Sequence, residues 1–213
     1  MNSTVKKLFR ISLLSIVILS GCAYTTAHVD LSYLPEADKK SPLGMIKPMT
    51  FALQVEDQRP VGERDRVGDR RGGFGQVAAS VKSDKEVTMV LHDALKNELE
   101  NNGHRVVDTK EAPSDVIIHL GLKRYWSDAR MHFWDIEMIG RINADITIRN
   151  PRNDSVLFSK PINSTFRESR QLGTGKAYES VLNGALAEFI RSFSRDPSIL
   201  KALQLAQREE DGA

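Results

Sequence analysis

The side chains in this 213-residue chain that could do chemistry are one thiol, five imidazoles, two indoles and a charged pair at the end of an apolar run. Cys22 is the only cysteine, so no disulfide can close within the chain, and its thiol is free to carry acyl chains. His28, His92, His104, His119 and His132 show neither HExxH nor HxH spacing. With Cys22 acylated no soft metal site is left, and neither a metal nor a cofactor is expected. No GxSxG elbow occurs, which argues against a serine hydrolase. The glycine-rich stretch Arg70-Arg71-Gly72-Gly73-Phe74-Gly75 lacks the Gly-Lys-Ser/Thr ending of a phosphate-binding loop. The expectation is a protein that is not an enzyme.

Cys22 gains meaning from what precedes it. Lys6, Lys7 and Arg10 form a basic start, Ile11 to Leu19 a short apolar run, and Leu19-Ser20-Gly21-Cys22 closes it with small residues. A bilayer-spanning helix needs about 20 apolar residues, so this run is too short to cross. The pattern resembles a bacterial lipobox, in which a signal peptidase cuts before the cysteine and acyl chains on that residue hold the mature chain on a membrane. Several acyl chains matter, because one alone binds a bilayer only marginally. An ordinary secretory signal that happens to end near a cysteine is the plainer alternative.

Cleavage removes three basic residues and no acidic ones, taking the formal charge from +2 to −1. The precursor's basicity is then a targeting feature and gives no argument for nucleic-acid binding. The remaining 192 residues are enough for one domain with its own core.

Two further groups could be contacts or could be structural. Asp57 and Arg59 follow the strand-like run Phe51, Leu53, Val55. In the structural reading Asp57 accepts backbone N–H groups in a turn and Arg59 pairs with a nearby carboxylate; in the functional reading the pair meets a ligand or partner at the end of the sheet. Tyr125, Trp126, Phe133 and Trp134 flank Ser127 to Met131, so a hairpin over that connection would bring Trp126 and Trp134 together at one sheet end. Cross-strand packing and a recognition patch are both open there.

The elements that must position these groups follow from periodicity. Residues 22–47, rich in Pro and mixed charge, read as a lipidated tether, although Val29, Leu31, Tyr33 and Leu34 alternate loosely enough to pair as a short strand. Residues 48–208 read as a single domain. It opens with a strand ending at Val55, followed by a long surface loop from Val61 to Val81. A helix capped by Ser83 or Asp84 carries Val87, Val90, Leu91, Ala94, Leu95 and Leu99 and stops at Gly103. Strands then follow at His104–Val107, Val116–Leu122, Ile142–Ile148 and Val156–Phe166, the last two joined by the turn Asn150 to Asp154. Short connections favour an antiparallel meander. A long helix with Tyr178, Val181, Leu182, Ala185, Leu186, Phe189, Ile190 and Phe193 on one stripe covers the apolar face. A short helix after Pro197 carries Ile199, Leu200, Leu203 and Leu205, and residues 209–213 form a frayed acidic tail. The fold class is α+β, a two-layer sandwich of one mostly antiparallel sheet packed against an N-terminal amphipathic helix and C-terminal helices.

Taken together, the lipobox at Cys22, the strand ending Val55-Glu56-Asp57-Gln58-Arg59, the helix closing with Leu99 and Gly103, and the follow-on Asp196-Pro197-Ser198-Ile199 resemble the YajG-like family of bacterial outer-membrane lipoproteins. The likeness covers nearly all of the mature chain, but gives no role to the Arg/Gly stretch. It implies an envelope lipoprotein without established enzymatic activity. Ala23, in place of the aspartate that retains such lipoproteins at the inner membrane, implies the outer membrane, periplasmic face; the inner membrane is the alternative. The leading expectation is a binding or scaffold module anchored through acyl chains on Cys22, with an envelope protein as a possible partner. An auxiliary subunit of an envelope lipid or solute transporter, offering an apolar groove on its sheet, is the runner-up. A cell-wall enzyme comes third and would need a carboxylate pair that the sequence does not show.

Overall fold

The computed structural model describes residues 25–36, 39–72, 75–107 and 113–211, with side chains as far as residue 208. Cys22, the basic start and the apolar run lie outside the described residues. The strands are β1 (Ala27–Val29), β2 (Thr50–Asp57), β3 (Gly68–Arg71), β4 (Val77–Ser83), β5 (Arg105–Val107), β6 (Val116–Met131), β7 (Ile136–Arg149) and β8 (Val156–Arg170). The helices are α1 (Val87–Asn101), α2 (Gly175–Arg195) and α3 (Pro197–Asp211). All eight strands form one sheet, in which β1, β4, β3, β6, β2 and β5 are neighbours in that order and β7 and β8 extend it beyond β6.

The expected meander is the largest part. β6, β7 and β8 run antiparallel, with Ile118 opposite Ile148 and Ile142 opposite Ser164. Alternating apolar residues on β6 and β7 bury Val116, Ile118, Leu120, Ile142, Ala144, Ile146 and Ile148 against the helices. β8 tolerates Pro161 in mid-strand because it pairs only with β7, so its other edge needs no donor there. The remainder of the sheet is mixed: β2 pairs parallel to both β5 and β6, and β1 pairs parallel to β4. The α+β sandwich is as expected, and its helices lie on one face of the sheet.

Each helix has an identifiable stop or close approach. α1 ends in a Schellman motif, with the N–H of His104 on the Leu99 carbonyl at 3.1 Å and that of Gly103 on Glu100 at 3.0 Å. Gly103 supplies the required positive φ of 92°. Its N-cap residue is Glu86, without a side-chain bond, not Ser83 or Asp84. α2 crosses β7 at Gly140, where any Cβ would lie 2.0 Å from the carbonyl oxygen of Val181. α3 starts at an N-cap carboxylate, Asp196, which accepts the N–H of Ser198 at 2.7 Å.

Four sequence expectations need correction. First, the segment expected as a tether is packed into the domain. β1 joins the sheet, and Leu31, Leu43 and Ile46 are buried in the core. Its backbone is bound to α2 through side chains: Asp30 N–H donates to Glu179, Ser32 N–H to Asn183, and Asn183 Nδ2 to the Asp30 carbonyl. Such bonds have no sequence period. Second, the expected loop from Val61 to Val81 contains the hairpin of β3 and β4. Gly68 lets β3 approach β6 closely, since a Cβ there would meet Ser127 Oγ at 2.2 Å. Third, α3 is longer than a short helix and its backbone continues to Asp211, so residues 209–211 are helical rather than frayed. Its buried residues are Ile199, Ala202, Leu203 and Ala206, whereas Leu205 is exposed. Fourth, among the described residues the sheet shows no open apolar groove of the kind the transporter reading requires. The apolar face is covered by helices, and the open face carries ion pairs such as Lys123–Asp145 and Arg141–Asp128.

Candidate functional site

Asp57 ends β2, and Arg59 turns back over it. Arg59 is 2% exposed, although it is an arginine. Its Nε and Nη2 donate to the two oxygens of Asp57 at 2.9 and 2.8 Å, its Nη1 to the Arg66 carbonyl at 3.0 Å, and Nη2 also to the Arg64 carbonyl at 2.9 Å. Asp57 in turn accepts the backbone N–H of Arg59 at 3.0 Å. Both parts of the structural reading are therefore present. Burial alone would raise the Asp57 carboxyl, but the hydrogen bonds and charge of Arg59 outweigh it and hold the group below the ordinary aspartate range. The pair clamps the segment from Pro60 to Arg66 onto the end of β2.

The two tryptophans are not brought together. β6 does not turn at Ser127 but continues to Met131, and the reversal spans His132 to Asp135. A β-bulge at Lys123 and Arg124 shifts the alternation of β6 by one residue. Tyr125 consequently points at the helices, its hydroxyl donating to the Leu182 carbonyl, while Trp126 lies on the open face opposite Arg141. Trp126 is 8% exposed, with the Arg66 guanidinium 5.7 Å above its ring, so it belongs to the same supported region as the clamp. Five strand positions separate Trp126 from Met131, about 17 Å, and Trp134 lies beyond that in the turn. There Trp134 is 85% and Phe133 87% exposed, the two rings packed edge to face at 4.6 Å.

Sequence reasoning did not find a third region. A cleft of about 550 Å³ opens between residues 32–36 and 39–41 and the outer surfaces of α1 and α2. Its lining includes four cations, Lys39, Lys40, Arg191 and Arg195, against two carboxylates, Glu36 and Glu98. Lys39 is paired with Glu36 at 2.6 Å, and Arg191 with Glu188. Among the described residues Lys40 and Arg195 have no carboxylate partner. Glu98 is 4% exposed and accepts the Tyr33 hydroxyl at 2.8 Å and Asn102 Nδ2 at 3.1 Å. Burial, then the bond to Glu98, raises the Tyr33 hydroxyl well above the usual phenol range, so it stays a donor. The hydroxyl of Ser41, also on the lining, is buried without a hydrogen-bond partner among the described residues. The only sequence signal was negative: mixed charge and proline that looked like a tether.

His104 is the buried imidazole. Its Nε2 donates to the Leu43 carbonyl at 3.1 Å and its Nδ1 accepts the Met49 N–H at 3.3 Å, an arrangement that requires the neutral ring. Burial lowers its pKa, and the Leu43 bond opposes that only in part. Among the described residues no three metal-ligating side chains converge, and no helix there is long and apolar enough to cross a membrane. In the Arg/Gly stretch Arg70 donates to the Thr25 carbonyl and Arg71 to the Gly75 carbonyl, both at 2.9 Å.

These features can be set beside known proteins. Protein XCC0632 from Xanthomonas campestris has a similar structure at 12% identity and a TM-score of 0.57, covering 89% of this chain and 99% of its own. A second solved structure, of an uncharacterized protein, is similar at 11% identity and a TM-score of 0.51, covering 80% of this chain and 97% of its own. Lipoprotein GNA1162 from Neisseria meningitidis is more distant, at 10% identity and a TM-score of 0.35, with 68% of this chain and 100% of its own covered. The first two show a shared fold. No curated protein matches the chain in sequence. The model of a family described as uncharacterized lipoproteins matches residues 36–204, and the chain belongs to that lipoprotein family.

Proposed function

We propose that this lipoprotein is a binding or scaffold module of the bacterial cell envelope, not an enzyme, acylated on Cys22 and held at the periplasmic face of the outer membrane. Family membership and the lipobox support the anchor. The observation that carries the binding role is the cleft between residues 32–36 and 39–41 and the helices. Its four cations against two carboxylates, with Lys40 and Arg195 unpaired among the described residues and Ser41 Oγ unbonded, suit an anionic segment of a partner, one presenting carboxylates or phosphates.

The test is photocrosslinking in the intact envelope, with a photoreactive side chain at position 40 and a control at Thr165 on the open face. Capture of one defined partner from position 40, lost on Arg195→Glu and absent from position 165, is the expected result. Equal capture from both positions, unchanged by Arg195→Glu, would contradict the binding site. Turnover of cell-wall fragments by the purified protein would contradict the non-enzymatic reading. Recovery of the protein in the inner-membrane fraction would move it to the other membrane.

A further inference from the structure

We infer that the end of the sheet carrying the β6–β7 turn lies against the lipid surface that holds Cys22, with Phe133 and Trp134 seated among the headgroups. This rests on the acylation of Cys22 proposed above. β3 runs parallel to β6 with Gly68 level with Ser127, so Arg70 and Arg71 stand level with the last residues of β6. β4 returns antiparallel, and β1 runs parallel to β4 with Ala27 level with Val81. Followed backwards from Ala27, the chain therefore heads toward the end that carries the β6–β7 turn, and Arg70 Nη1 holds the Thr25 carbonyl there at 2.9 Å.

The reach is short. From Thr25 back to Cys22 there are three residues, which even fully extended span at most about 11 Å. Because β1 is part of the sheet, no long tether separates the fold from its anchor. In the sheet order β1, β4, β3, β6, β7, the β6–β7 turn stands about 17 Å to the side of β1. A bilayer that holds Cys22 is thus within reach of that turn.

The surface presented at this end suits such a boundary. Phe133 and Trp134 are 87% and 85% exposed, and Leu172, in the loop that follows β8, is 72% exposed. Arg170 pairs with Ile136 beside the turn, so Leu172 flanks it. Around them stand Arg71 and Lys176, without carboxylate partners among the described residues, and Arg130, 3.8 Å from Glu137. Asp135 is the acid within the turn itself. Tryptophan beside basic residues is the composition favoured where hydrocarbon meets headgroups, because the indole is apolar and its N–H still finds a partner.

The chain has two tryptophans, so each can be read alone. The acylated protein, purified from envelopes, is reconstituted into vesicles of phosphatidylethanolamine and phosphatidylglycerol, with or without bromine on the acyl chains. In the Trp126→Phe variant, Trp134 emission is expected to shift to the blue and lose most of its intensity with brominated lipid. In Trp134→Phe, the remaining Trp126 should respond to neither lipid. Trp134 emission that is insensitive to bromine and fully open to acrylamide overturns the inference. So does a blue shift seen only in native envelopes and without bromine quenching, which would place a protein over the turn. Intact mass reads the acylation separately. If Cys22 proves unmodified, the anchoring reading fails, and coupling its thiol to a maleimide lipid still tests the orientation.

Discussion

Arg59 and Trp134 are each found where their residue type is uncommon. The guanidinium is buried at the end of β2 with its donors on Asp57 and two carbonyls, and the indole stands exposed on the β6–β7 turn. Arginines are rarely fully buried unless paired, and large apolar groups that stand exposed tend to mark surfaces with a partner. The difference separates two kinds of candidate that look alike in sequence. A charge that is buried and bonded to its own chain holds the fold together, whereas a ring that stands exposed is open to something outside it.

The contrast can be broken most readily at the clamp. Asp57→Ala leaves the Arg59 charge buried without its carboxylate, and breaking such a pair costs about 3 kcal/mol, or roughly 10 °C in a domain of this size. Calorimetry that showed an unchanged melting temperature would return the pair to the candidate contacts. Gly140→Ala is expected to follow, at about 2 to 3 kcal/mol, because a methyl there meets the backbone of α2 at Val181 and not a yielding side chain. That loss would show the hairpin is held firmly beneath its exposed tip. A melt no lower than wild type would mean that α2 is free to move away.

Two pH effects separate the buried groups from the exposed ones. The Asp57 carboxyl is lowered in the folded state, so its contribution is fully present above the ordinary aspartate range and is lost as pH falls through and below it. Asp57→Asn should flatten that acid limb. His104 is also lowered, because the folded protein holds it neutral. Its contribution is therefore complete above about pH 6.5 and declines as the pH drops below that value. Thermal melts should show His104→Gln less stable by about 1 kcal/mol at pH 7.5 and less dependent on pH down to 5.5 than wild type. The smallest effect belongs to the tip: Trp134→Ser should change stability by no more than about 0.5 kcal/mol. A large loss would make the ring a packing group after all.

The parts of the fold with a steady period were legible. Ile142 to Ile148 alternates along β7, and Val87 to Leu99 and Tyr178 to Phe193 repeat at helical spacing, so the meander and its two main helices followed directly. What escaped notice was held by means other than period. β3 is Gly-Asp-Arg-Arg, and its place in the sheet depends on Gly68 meeting Ser127, a contact 59 residues away in sequence. The segment from Asp30 to Ile46 is bound by side chains of α2 and by isolated apolar residues. The bulge at Lys123 put Trp126 on the open face, and the continuation of β6 to Met131 moved the reversal to His132–Asp135, so Trp126 and Trp134 could not be paired from sequence spacing. Asp57 and Arg59 were found by their position after a strand, and only their geometry could choose between the two readings. The cleft was not legible at all, since its walls come from residues 32–36 and 39–41, α1 and α2.

The aromatic turn is placed against the bilayer, and the cationic cleft faces away from it, because α2 starts at Gly175 beside the turn end and reaches the cleft's cations, Arg191 and Arg195, only toward its other end. With Cys22 acylated, an introduced thiol is the only free one, so a spin label can be placed by Trp134→Cys on the turn and by Lys40→Cys at the cleft, in protein reconstituted through its own anchor. Relaxation by oxygen, which concentrates in lipid, and by an aqueous nickel chelate then reports depth at each site. Oxygen should dominate at position 134 and nickel at position 40. Equal, nickel-dominated relaxation at both positions would contradict the account.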